Sequence, residues 1–120
     1  MKKYLFLILL CILLSSCSSQ SDYKKLNGIW TNGSISLIFS DNNNLSVSLD
    51  KDTIPEITGS YSLNGSDIFM QFNDGKIPND CAGESKYEYT INEIALNFDM
   101  EVDLCPMRKE EFAKTFKKIK

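Results

Sequence analysis

The chain has 120 residues, with 13 basic and 16 acidic side chains, a net charge of −3, four cysteines and no histidine. That length supports one small domain, and the acidic balance argues against nucleic acid as a partner. Without histidine there is no usual base for a serine or cysteine nucleophile.

Lys2 and Lys3 precede an unbroken apolar run from Tyr4 to Leu14. The run is too short for a membrane-crossing helix, which takes about 20 apolar residues. It has the length and flanks of a signal-peptide core. It ends in Leu14-Ser15-Ser16-Cys17, which resembles the lipobox of bacterial lipoproteins. The resemblance implies a signal peptide over 1–16, a lipidated Cys17 at the mature N-terminus, a tether over 17–23 and a folded domain over 24–120. Cys17 is the predicted palmitate and diacylglyceryl site. Two or three acyl chains there make a firm membrane anchor, whereas one binds only marginally. Ser18 stands where aspartate favours inner-membrane retention in some diderm bacteria, and the tether lacks a dense acidic run. The expected location is the cell envelope, on the periplasmic face of the outer membrane in a diderm host.

Secretion fixes how the cysteines read. Cys11 leaves with the signal peptide and Cys17 is acylated, so Cys81 and Cys105 remain and should pair in an oxidising compartment. A small domain gains from such a staple. Removing Lys2 and Lys3 from the 13 basic side chains leaves 11 against 16 acidic ones, a net of −5.

The mature chain reads as all-β. Apolar residues recur with the period of two that marks half-buried strands: Ile35, Leu37, Phe39; Leu45, Val47, Leu49; Ile57, Tyr61, Leu63; Ile68, Met70, Phe72; Tyr87, Tyr89, Ile91. From Ile94 to Leu104 every even position is apolar. This alternation predicts an inward Met100, Val102 and Leu104, an outward Cys105 with its disulfide on the outside or rim, and acidic residues confined to outer faces and turns. Asn64-Gly65 fits a two-residue type I′ hairpin turn, Asn92-Glu93 another tight turn, and Asp41–Asn44 and Asp50–Pro55 longer ones. Asn73 to Gly83 is the longest connection. In the last segment Phe112, Phe116 and Ile119 suit an amphipathic helix led by Pro106, while a strand over Lys114–Ile119 would complete eight. The strand is the preferred reading. Eight short strands with local turns predict an antiparallel up-and-down barrel, with a β-sandwich or a barrel carrying a C-terminal helix as alternatives.

Leu26-Asn27-Gly28-Ile29-Trp30 resembles the Gly-x-Trp entry of lipocalins and their small bacterial relatives, calycin-type barrels in which the tryptophan plugs one end. Gly59-Ser60-Tyr61 with Asn64-Gly65 is similar to the Gly-x-Tyr hairpins of secreted lipocalin-like domains. The stretch Cys81 to Arg108 fits as well. The resemblance implies a structural plug of Gly28 and Trp30, with Arg108, the only arginine, across the indole. The chain departs from the pattern in being short, in lacking a helix after the last strand, and in placing Arg108 before that strand.

Fold does not fix function, and the candidate sites are few. Asp99, Glu101 and Asp103 share a spacing that could hold a hard cation, as could Asp74-Gly75 with Asp80. A solvated strand face and turn chemistry account for both, so no metal or cofactor is expected. A glycosidase-like carboxylate pair finds no buried acid on the predicted faces, and the chain reads as non-enzymatic. The large inward residues favour a packed core. Tyr61, Tyr87 and Tyr89 are the candidates to line a narrow mouth for a small apolar or amphipathic ligand. The alternative is a protein-interaction or inhibitor module acting through its loops.

Overall fold

A computed structural model describes residues 22–50 and 54–120. The expected signal peptide, Cys17, most of the expected tether and the centre of the Asp50–Pro55 turn lie outside the described residues. A helical turn over 22–26 (α1) leads into eight strands: β1 Gly28–Thr31, β2 Ser36–Ser40, β3 Asn44–Ser48, β4 Ile57–Asn64, β5 Asp67–Gly75, β6 Ser85–Ile91, β7 Ala95–Val102 and β8 Phe116–Lys118. A helix, α2 (Pro106–Phe112), stands between the last two. Each strand pairs antiparallel with the next and β8 closes on β1, giving a closed up-and-down barrel.

The C-terminal segment is thus both helix and strand. Pro106 occupies the first helical positions, where a missing N–H costs nothing, and Cys105 caps the helix by accepting from the Arg108 N–H. The helix ends at Phe112, and Phe116 then reaches Leu96 across the β7–β8 ladder. The periodic Phe112 and Phe116 face the core from two different elements.

The inward faces fill the barrel. Trp30, Leu37, Phe39, Leu45, Val47, Ile57, Tyr61, Ile68, Met70, Phe72, Tyr87, Tyr89, Leu96, Phe98, Phe112 and Phe116 form one buried cluster. Rings touch across it: Phe98 stacks on Phe112 at 5.0 Å between centroids and meets Phe116 edge-on at 5.7 Å, while Phe39 meets Tyr61 edge-on at 5.0 Å. Burial of that many apolar side chains is the main force holding the sheet closed.

β7 corrects the simple alternation. Tyr87 pairs with Met100 but Lys86 pairs with Val102, so Glu101 is one residue extra on its strand. Such a bulge shifts the side-chain phase. Leu96 and Phe98 point inward as expected, but Met100, Val102 and Leu104 are exposed, and Asp103 and Cys105 are buried in their stead. Ile94, in the turn ahead of β7, is exposed too. The disulfide is therefore buried, beneath the loops at one end of the barrel, rather than exposed on its outside.

The β4–β5 hairpin also differs by one residue from the sequence reading. Asn64 pairs with Asp67, so the loop is Gly65-Ser66. Gly65 has φ +62° while Ser66 is not in the left-handed region. That fits a type II′ turn, which takes glycine first. β5 then runs on through Asn73 and Asp74 to Gly75, and the connection to β6 shortens to 76–84.

Gly28 and Trp30 close the barrel seam. Gly28 has φ +134°, and a Cβ there would lie 2.3 Å from the Lys120 carbonyl oxygen, so only glycine lets β1 lie this close to the chain after β8. Trp30 is fully buried, and its indole N–H donates to the Leu26 carbonyl at 2.8 Å, tying β1 to α1. The cation over the indole is Lys118, 5.5 Å from the ring, and not Arg108. The ladder dictates this, since Lys118 lies directly across from Trp30, whereas α2 holds Arg108 over Phe72.

Candidate functional site

An up-and-down barrel gathers alternate connections at each end. One end carries α1 with the turns 41–43, 65–66 and 92–94. The other carries 32–35, the β3–β4 connection, the loop 76–84 and the segment 103–115 that includes α2. The second end has the denser chemistry.

Cys81 and Cys105 are disulfide-bonded there, with Cα atoms 4.4 Å apart and both residues fully buried. The bond pins the loop 76–84 to the start of α2. Beneath it, the Asp103 carboxylate accepts from Arg108 Nε at 2.6 Å and Arg108 Nη2 at 2.8 Å, from the Tyr87 hydroxyl at 2.5 Å and from the Cys105 N–H at 2.9 Å. Arg108 Nη2 also donates to the Gly83 carbonyl at 3.1 Å, and the guanidinium lies 4.7 Å from the Phe72 ring. Arg108 Nη1 is buried with no hydrogen-bond partner. Its guanidinium faces the Phe72 ring, whose π-cloud attracts a cation.

Burial resists ionisation of Asp103, but the hydrogen bonds from Arg108, Tyr87 and Cys105 outweigh it and hold the carboxyl below its ordinary range. The same burial, together with the adjoining carboxylate, raises the Tyr87 hydroxyl well above its usual value. Asp103 is thus a fixed anion with its oxygens engaged. A group bound in this way supports the loop end and does not exchange protons near neutral pH.

This network corrects the expectation that every acidic residue lies on an outer face or turn. The sequence did hold a usable signal, a lone arginine five residues after an aspartate, but the bulge that turns Asp103 inward is a property of the β6–β7 pairing.

Above the network, Ile77, Pro78, Asp80, Glu84, Leu104 and Arg108 are among the residues lining a recess of about 510 Å³. Leu104 is 81% exposed, Val102 extends this apolar strip to the end of β7, and Met100, on the other side of the bulge, is exposed as well. Acidic side chains interleave with it. Glu101 pairs with Lys86 at 3.1 Å, and Asp67 reaches the same ammonium at 3.7 Å. A second recess, of about 290 Å³, opens at the other end between Tyr23, Tyr61 and the 41–43 turn.

The three candidate tyrosines fall in different places. The Tyr87 hydroxyl is bound by Asp103, and that of Tyr89 donates to Asp22 at 2.8 Å. Both rings are core residues. Tyr61 lines the smaller recess, and Tyr87 and Tyr89 line neither of the two. Asp99, Glu101 and Asp103 do not converge, because the bulge sends Asp103 inside. Among the described residues no group of three or more acidic or cysteine side chains is placed to hold a metal ion. Cys17 lies outside the described residues.

No protein-family model matches the chain, and no curated protein or solved structure is significantly similar to it.

Proposed function

We propose that this chain is a lipid-anchored, non-enzymatic module of the bacterial cell envelope that binds a partner protein through the loop end of its barrel. The anchor reading rests on the apolar run ending in Leu14-Ser15-Ser16-Cys17. The likeness to lipocalins rests on Gly28 and Trp30 within an eight-stranded antiparallel barrel, and the binding role is argued from this chain's own surface.

One observation carries the reading: the barrel is filled, while its loop end presents a stapled recess beside an exposed apolar strip. Tyr87 and Tyr89 are committed to internal hydrogen bonds, so they give a small apolar ligand no lining inside the barrel. Met100, Val102 and Leu104 are the reverse, large apolar side chains left in water on a strand and loop that cannot move freely. Exposed apolar surface of this kind marks interaction sites, and a rigid patch loses little entropy on binding. Asp80 and Glu84, which line the recess, favour a partner with an apolar projection inside a basic rim.

Photo-crosslinking in intact cells tests the proposal, with the reactive group at position 104 and, for comparison, at position 117, which pairs with Ala95 at the far end of β7. A single protein adduct at 104, absent at 117 and abolished by Val102→Lys, supports it. Adducts of equal yield at both positions, or only lipid adducts at 104, would sink it. The anchor is tested separately by palmitate labelling, which Cys17→Ser should abolish.

A further inference from the structure

We propose that the recess of about 290 Å³ at the tether end binds a neutral saccharide unit, in a site separate from the protein-binding end. Its volume lies near the lower limit of small-molecule pockets, about 300–1,000 Å³, and suits one sugar ring.

The lining is made of the groups a sugar requires. Tyr61 is 4% exposed, lines the recess, and its hydroxyl has no hydrogen-bond partner among the described residues. Its ring is fixed by edge-on contact with Phe39, and its own N–H donates to the Asn43 carbonyl at 3.0 Å. The hydroxyl is therefore held in place while its hydrogen-bonding capacity is left over. Burial, with Tyr23 and Asp41 beside it, pushes this hydroxyl up to about 12, so it stays protonated and can both donate and accept.

Tyr23 supplies the apolar surface. Its half-buried ring lies 5.8 Å from that of Tyr61, and its hydroxyl is fixed by accepting from the Leu63 N–H at 2.9 Å. The rest of the rim is amide and carboxylate. Asn27 donates to Asp41 at 3.0 Å, which orients both, and Asn42 and Asn43 stand exposed in the turn at φ +63° and +60°.

These groups select the ligand class. Lys24 and Asp41 are the charged residues of the lining and cancel, so no net charge favours an anion or a cation. Amides and a phenol supply donors and acceptors in mixture, as a ring of hydroxyls needs. The tyrosine face suits the C–H face of a pyranose. A purely apolar ligand would leave the Tyr61 hydroxyl and the asparagine amides unpaired, which costs affinity.

The test is saturation-transfer and amide-shift NMR on the full chain in detergent, with glucose and N-acetylglucosamine as probes and glycerol as control. Saturable binding of a sugar in about the millimolar range, with shifts centred on Tyr23, Asn27, Asp41–Asn43 and Tyr61, is the expected result. Tyr61→Phe removes only the hydroxyl and should weaken binding about five- to tenfold, the equivalent of one hydrogen bond. Asn42→Gly and Asn43→Gly keep the left-handed backbone while removing an amide, so at least one should weaken binding with the melting temperature unchanged. No saturable response to either sugar, response equal to that of glycerol, or affinity unaltered in all three variants would overturn the proposal. These variants lie at the opposite end from Leu104, so their failure leaves the protein-binding reading to be judged by its own crosslinks.

Discussion

The two ends of the barrel solve the same problem by different means. At the end that carries α1 the connections are two or three residues long and take their shape from their own residues. Gly65 adopts φ +62°, Asn42 and Asn43 adopt left-handed backbone, and the Asn92 side chain accepts from the Ile94 and Ala95 N–H groups. At the loop end the connections 76–84 and 103–115 are too long for local chemistry. They are held across the chain by a disulfide, by the bonds of Asp103 to Tyr87 and of Arg108 to Gly83, and by the packing of α2. Short turns draw on the preferences of the residues inside them, whereas long loops need partners distant in sequence. The end that had to be stapled is also the one that can carry a shaped, rigid recess.

The sharpest way to break the contrast is at the buried pair. Asp103→Ala leaves the Arg108 guanidinium buried without its counter-ion and should cost about 3–5 kcal/mol in a denaturant melt. The double variant Asp103→Leu with Arg108→Met should recover much of that loss, because an apolar pair avoids the desolvation of two charges. Trp30→Ala is the counterpart at the seam and α1, and large-to-small aromatic changes in a core cost about 3–5 kcal/mol. If the two ends share one cooperative core, circular dichroism melts of both variants stay single transitions. A two-step melt in the Asp103 variant alone would show the loop end to be a separate unit.

Removing the staple with Cys81→Ala and Cys105→Ala should cost about 3–4 kcal/mol in the chain-entropy model for a closed loop of this length, where the cysteines are 24 residues apart. Hydrogen exchange should rise most at 76–84 and least in the turns 41–43 and 92–94. Uniform loss of protection at both ends would erase the proposed contrast.

Acid adds a further distinction. The Asp103 carboxyl is held below its ordinary range in the folded state. Its contribution to stability is complete above the unfolded value of about 3.9 and is lost as pH falls toward the lowered folded value. Melting temperatures between pH 7 and pH 2 should therefore fall more steeply in the parent chain than in Asp103→Asn. The smallest effect belongs to Tyr89→Phe, which removes the bond to Asp22 at the tether end. A loss of about 1 kcal/mol is expected, read as a small shift in melting temperature.

The all-β class, most of the strands and most of the core were legible in the sequence, whereas the last segment stayed open between helix and strand. Apolar residues every second position, separated by Asn and Gly turns, leave few other ways to bury Phe39, Val47, Met70 and Tyr87 together. The expected pairing of Cys81 with Cys105 is present in the fold. The tertiary structure alone decided which way Asp103, Leu104 and Cys105 point. Their phase depends on one extra residue, Glu101, in the pairing of β7 with β6, and the period-two pattern runs through that bulge unbroken. It also decided that Arg108 meets Asp103 and Phe72 while Lys118 covers Trp30. Local sequence carries hydrophobic periodicity and turn preference, but the phase set by a bulge and the contacts across the closing strands arise only in the folded barrel.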